Sequence, residues 1–144
     1  MKKLILAALA AGFVLTGCKK DDDDVASIVG AWKINKYTYK YANGTSDTEI
    51  PDACEAKTTI TFKEGGTMIS DEYYTNGSGT CTLDNSSGSY TYNENEQNLY
   101  VNLGDGTINF KVITINNSEL VLAGEKDDYD SDGEDDDYTI YLKR

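Results

Sequence analysis

The sequence predicts an all-β fold, a single eight-stranded antiparallel meander closed into a barrel. Three observations lead there. No stretch between Val25 and Arg144 sustains apolar residues at spacings of three and four, so no long helix is expected. Short runs rich in Ile, Val, Thr and Tyr recur instead, bounded by Gly, Asn and Asp. The links between them are mostly two to four residues, which joins antiparallel neighbours, and closing such a meander on itself removes its two exposed edges. A chain of 144 residues holds one such core and not two. A two-sheet β-sandwich is the alternative arrangement of the same strands.

Val29 to Tyr41 is the first expected strand, ended by Asn43-Gly44. Lys57 to Glu64 alternates with Ile60 and Phe62 on one face, and Gly65-Gly66 turns it into Thr67 to Tyr74. Thr80 to Leu83 is a weak segment, followed by Ser89 to Tyr92. Leu99, Val101 and Leu103 share a face of the next, and Gly104-Asp105-Gly106 turns it into Thr107 to Ile115, with Ile108, Phe110 and Val112 in phase. Asn116-Asn117 leads into Glu119 to Ala123, with Leu120 and Leu122 inward. Tyr138 to Leu142 closes the chain, Ile140 and Leu142 inward.

Two slips of phase accompany this pattern. Trp32 and Ile34 share a face while Tyr37, Tyr39 and Tyr41 have the opposite parity, and Ile108, Phe110 and Val112 give way to Ile113 and Ile115. Bulges near Asn35-Lys36 and Val112-Ile113 would return both sets to one side. Otherwise the tyrosines lie on the outer face.

The N-terminus reads as an address. Lys2 and Lys3 precede an uncharged, mostly apolar run from Leu4 to Leu15, too short for a membrane span and typical of a signal peptide. Leu15-Thr16-Gly17-Cys18 resembles the bacterial lipobox, which implies a diacylglyceryl group on Cys18 and cleavage before it. An ordinary secretory signal with an incidental cysteine is the alternative. Lys19-Lys20-Asp21-Asp22-Asp23-Asp24 is a charged tether that cannot pack, and it resembles the export signal of Bacteroidota-type surface lipoproteins. A plain spacer on a periplasm-facing lipoprotein is the other reading. The expected organisation is a signal peptide over 1–17, a lipidated cysteine and acidic tether over 18–27, and the barrel domain over 28–144.

Ile28-Val29-Gly30-Ala31-Trp32-Lys33 resembles the Gly-x-Trp opening of lipocalins. Thr59-Ile60-Thr61-Phe62 with Gly65-Gly66-Thr67, Cys81 with Gly88-Ser89-Tyr90, Ser118 to Leu122 and the final Tyr138 to Leu142 are similar to the lipocalin-like domains of Bacteroidota lipoproteins. The resemblance implies an eight-stranded meander barrel with Gly30 and Trp32 packed across its closed end. Physical reading of Trp32 agrees, since the sole tryptophan has the largest area to bury. The segment Lys126 to Asp137 is longer and more acidic than that family's hairpin needs.

With Cys18 lipidated, Cys54 and Cys81 form an even pair in an exported protein, which favours a disulfide worth about 3 kcal/mol over two free thiols. Asp128, Asp130 and Asp132 alternate before Gly133, matching the first half of a calcium loop, and Glu134 and Asp136 fall at its seventh and ninth positions; Thr139 stands at the twelfth, where a bidentate Glu belongs. The expectation is no cofactor beyond weak calcium, against a loop that is merely solvated.

Chemistry is mostly excluded. With no histidine there is no imidazole base, and 25 acids against 13 bases, a net charge of -12, argue against nucleic acid. Acids are abundant, but none sits visibly in a recessed setting suited to paired-carboxylate hydrolysis. The sequence therefore points to a non-catalytic, surface-exposed outer-membrane lipoprotein, held to the membrane by its lipid and binding a small, partly apolar (hydrophobic) ligand. A filled barrel engaging a protein or glycan partner is the rival.

Overall fold

The computed structural model describes residues 26–144. The signal peptide, Cys18 and the acidic run of the tether lie outside the described residues. Nine strands form one antiparallel sheet: β1 (Gly30–Lys40), β2 (Ser46–Glu49), β3 (Thr59–Lys63), β4 (Thr67–Thr75), β5 (Cys81–Asn93), β6 (Asn98–Asn102), β7 (Thr107–Ile115), β8 (Glu119–Ala123) and β9 (Asp137–Lys143). Their order is β2-β1-β3-β4-β5-β6-β7-β8-β9, and β1 also pairs with β9. That last pairing closes a barrel of eight strands, β1 and β3 to β9, and disposes of the sandwich. Among the described residues the only helical turn is 3-10, Glu55–Lys57, and no helix is long and apolar enough to cross a membrane.

β1 is long enough to serve three partners. Gly30 to Lys33 pairs with β3, Tyr37 to Lys40 pairs with β2, and Lys33 to Lys40 pairs with β9. β2 was not expected, because Ser-Asp-Thr-Glu carries no apolar residue and every position is exposed. It exists through the ladder it makes with β1. The weak segment Thr80 to Leu83 and the segment Ser89 to Tyr92 are one strand, β5, whose polar middle pairs residue by residue with β4. Alternation is missing there because that part of the wall faces polar surroundings. Near its end β6 comes close: a Cβ on Gly88 would lie 2.0 Å from the Asn102 carbonyl oxygen, so only glycine fits.

Both slips of phase are bulges. The β1–β9 register shifts between Ile34 and Lys36, after which Tyr37 faces Ile140 and Tyr39 faces Tyr138. Tyr37 then stacks on Tyr138 with ring centroids 5.9 Å apart, inside the barrel. The β7–β8 register shifts between Val112 and Thr114. Ile115 thereby rejoins the interior opposite Leu120, while Ile113, expected inward, is the residue pushed out and is 56% exposed.

The core gathers at one end. Trp32, Leu99, Leu120, Leu142 and Val112 are all but fully buried, joined by Phe62, Met68, Val101 and Leu122. Towards the other end the inward residues turn polar and aromatic. Cys54 and Cys81 are bonded, with Cα atoms 5.6 Å apart, tying the connection between β2 and β3 to the start of β5.

Candidate functional site

Three places carry the candidate residues: the closed end, the acidic loop and the barrel interior. At the closed end Trp32 lies beneath the guanidinium of Arg144, 3.9 Å from the ring centroid. Trp32 Nε1–H donates to the Ile28 carbonyl at 2.8 Å. Arg144 donates to the carbonyls of Ser27 and Val29, each at 2.7 Å. Gly30 has a φ of +132°, and a Cβ there would meet Arg144 Nη2 at 3.1 Å. Glycine thus leaves room for the guanidinium. Sequence reasoning found Gly30 and Trp32 and missed Arg144, the last residue, whose partners are 115 and 117 positions away.

In the loop between β8 and β9 the structure regroups the acids. Carboxylate oxygens of Asp128, Asp130 and Asp136 lie within 4.8 Å of one another, and Asp132 and Glu134 stand outside this group. The chain reverses at Ser131 (φ 64°) and Gly133 (φ 93°), so Asp128 accepts hydrogen bonds from the N–H groups of Asp132 and Gly133. Asp132 accepts from Glu134 N–H and thus serves the turn itself. Asp136, the ninth position of the calcium-type spacing, is 1% exposed and takes the N–H groups of Ala42 and Tyr129. Partial desolvation and then the neighbouring Asp132, Asp136 and Asp128 charges hold the Asp130 carboxyl above the ordinary carboxylate range, against a hydrogen bond from the Asp132 backbone.

The interior holds two adjoining cavities. An apolar one of about 150 Å³ lies among Phe62, Met68, Leu99, Val101, Phe110 and Leu122. A second of about 220 Å³ opens between Tyr37 and Tyr138 on one side and Glu72, Tyr73 and Tyr74 on the other, with Glu49 and Glu55 also lining it. Ile60, Ser70 and Ile140 line both. The bulge in β1 is what turns Tyr37 into this space. Burial, followed by the charges of Glu55, Glu72 and Glu49, pushes the Tyr37 phenol up to about 12. Tyr138 is raised further, chiefly by burial.

A phenol whose folded-state pKa lies above the unfolded value near 10 holds its proton more tightly in the fold. Its contribution to stability is complete below about pH 10 and is lost as pH rises through about 12. Absorbance titration should therefore resolve a late fraction among the eleven tyrosines, ionising near or above pH 12, and Tyr37→Phe should shrink it. A single step for all of them near pH 10 would contradict the buried placement.

A family model for the lipocalin-like domain matches residues 28–122. Solved structures similar to the chain include bovine odorant binding protein in complex with a selenium-containing odorant (15% identity, TM-score 0.44, covering 80% of this chain and 71% of that one). Another is a dog lipocalin allergen (14%, TM-score 0.45, 82% and 74%). Lobster apocrustacyanin A1 is a third (13%, TM-score 0.48, 81% and 59%). The comparison with curated proteins returns no match. With the family model spanning most of the closed barrel, the chain belongs to the lipocalin-like domain family.

Proposed function

We propose that this protein is a lipid-anchored, surface-exposed outer-membrane lipoprotein whose barrel binds a small, partly apolar molecule without catalysis. The observation that supports binding is the pair of adjoining cavities meeting at Ile60, Ser70 and Ile140. An apolar space of about 150 Å³ matches the size that takes a benzene-sized group. Both volumes are small beside most ligand sites, so the molecule is small too. Anchoring through Cys18 rests on Leu15-Thr16-Gly17-Cys18 and the charged tether behind it.

One preparation of full-length protein tests both halves. The wild type should partition into a detergent phase and Cys18→Ala into the aqueous one. Calorimetric titration with hexanol and phenethyl alcohol should give dissociation constants on the order of 10⁻⁴ M, about -5.5 kcal/mol. Ser70→Phe, which fills the junction of the cavities, should abolish that binding while the strand signal in circular dichroism persists. No uptake of either alcohol by folded wild type would leave the interaction-module reading, in which the outer face meets a protein or glycan.

A further inference from the structure

The cavity nearer the mouth has a chemical polarity that the apolar one lacks. Three carboxylates line it, Glu49, Glu55 and Glu72, and no lysine or arginine does. Among the described residues the one ion pair is Lys126–Asp137, so none of the three is neutralised by a base. Glu55 accepts a hydrogen bond from the Asp52 N–H, and the Tyr39 hydroxyl is the donor that reaches Glu49. Four tyrosines complete the wall: Tyr37, Tyr73, Tyr74 and Tyr138. Tyrosine rings already hold cations on this barrel: Lys36 Nζ lies 4.3 Å from the Tyr141 ring centroid, and Lys57 Nζ lies 5.9 Å from that of Tyr73, which leaves Tyr37, Tyr74 and Tyr138 for a ligand.

We propose that the barrel takes an organic cation, a primary amine with a short aryl or alkyl tail, its ammonium at the mouth between Glu49, Glu72 and the tyrosine rings and its tail beyond Ile60 and Ile140. The inference rests on the small-ligand reading above and names the class of ligand. A recess lined by one sign of charge, with low-dielectric walls, focuses its field and concentrates ions of the other sign. Tyrosine faces add attraction for an ammonium, more so as it loses water. Burial first, and then the charges of Glu55, Glu72 and Glu49, raise the Tyr37 phenol beside them. The apolar cavity accepts what a bare ammonium would not need, a hydrocarbon tail of about the size of one ring. Anions are disfavoured by the same carboxylates, which sets fatty acids and phosphorylated molecules aside.

The test compares three probes of one shape on the full-length protein: phenethylamine, phenethyl alcohol and phenylacetate. Calorimetry at low salt should give the amine at least about tenfold tighter binding than the alcohol, with phenylacetate weakest. Glu49→Gln with Glu72→Gln should lower amine affinity about tenfold and leave the alcohol within about twofold, with an unchanged circular dichroism spectrum. Equal affinities for amine and alcohol would overturn the amine assignment while the small-ligand reading stands. An amine preference that survives the double variant would overturn the placement of the ammonium. Failure of all three probes to bind folded protein would overturn both readings together.

Discussion

Trp32→Ala should cost roughly 3–5 kcal/mol and lower the unfolding midpoint by on the order of 10–20 °C, read by far-ultraviolet circular dichroism. The side chain is wholly buried in the same cluster as Leu99, Leu120 and Leu142, so truncation leaves a cavity in the core. It also removes the donor to the Ile28 carbonyl and the ring on which Arg144 rests. Against a total stability of about 5–15 kcal/mol for a domain of this kind, the loss is a large share. Arg144→Ala should cost less, about 1–2 kcal/mol, because its stacking and hydrogen bonds are partly in solvent. Trp32→Phe should fall between, keeping a ring but losing the N–H donor and volume. A cost below about 1 kcal/mol for Trp32→Ala would mean that the closed end contributes little to the fold.

Asp136→Ala should be the most damaging substitution in the acidic loop, at about 2–4 kcal/mol. Oδ1 accepts the Ala42 N–H at 3.0 Å and Oδ2 accepts the Tyr129 N–H at 2.9 Å, so one carboxylate ties the β8–β9 loop to the end of β1 across 94 residues of sequence. Its own N–H donates to the Asp127 carbonyl, which closes the neck of the loop. Removing the carboxylate leaves two backbone donors in a partly buried place with no acceptor, and each such orphan costs about 1–3 kcal/mol. Asn at this position keeps one acceptor and turns an N–H towards the other donor, so an intermediate loss follows. Glu134→Ala, in the same loop but exposed, should lie within about 0.5 kcal/mol of wild type. Hydrogen exchange at Ala42 and Tyr129 should quicken in Asp136→Ala alone. Equal losses at positions 134 and 136 would show that the loop responds only to its total charge.

That contrast bears on how the acidic run is read. Eight of the eleven residues from Asp127 to Asp137 are acids, and their local order gives Asp136 the ninth position of a calcium-type loop without marking it as the buried one. On linear spacing the alternating set Asp128, Asp130, Asp132 and Glu134 reads as a ligand array. In the fold the carboxylates that lie within 4.8 Å of one another are those of Asp128, Asp130 and Asp136. Asp132 caps a turn, Asp128 holds the reversal, and Asp136 arrives from the β9 side.

Sequence alone determined what short-range periodicity can encode. Leu99 and Val101, Leu120 and Leu122, and Ile140 and Leu142 announce half-buried strands because side chains alternate across a sheet, and short turns make those strands antiparallel neighbours. It also determined the even cysteine pair that became Cys54–Cys81. The opposite parity of Tyr37 and Tyr39 marked a choice, a bulge or an outward face, without deciding it. Tertiary structure decided it: β9 offers Tyr138 and Ile140 across the bulge, and the rings stack inward. β2 had no local signal because an all-exposed edge strand is held by backbone pairing, to which side-chain pattern is nearly silent. Arg144 over Trp32, Asp136 on Ala42, and the meeting of Glu49, Glu72 and Tyr138 around one cavity all join residues far apart in the chain. Such contacts exist only once the barrel closes, since it is the β1–β9 pairing that brings the first and last strands to the same wall.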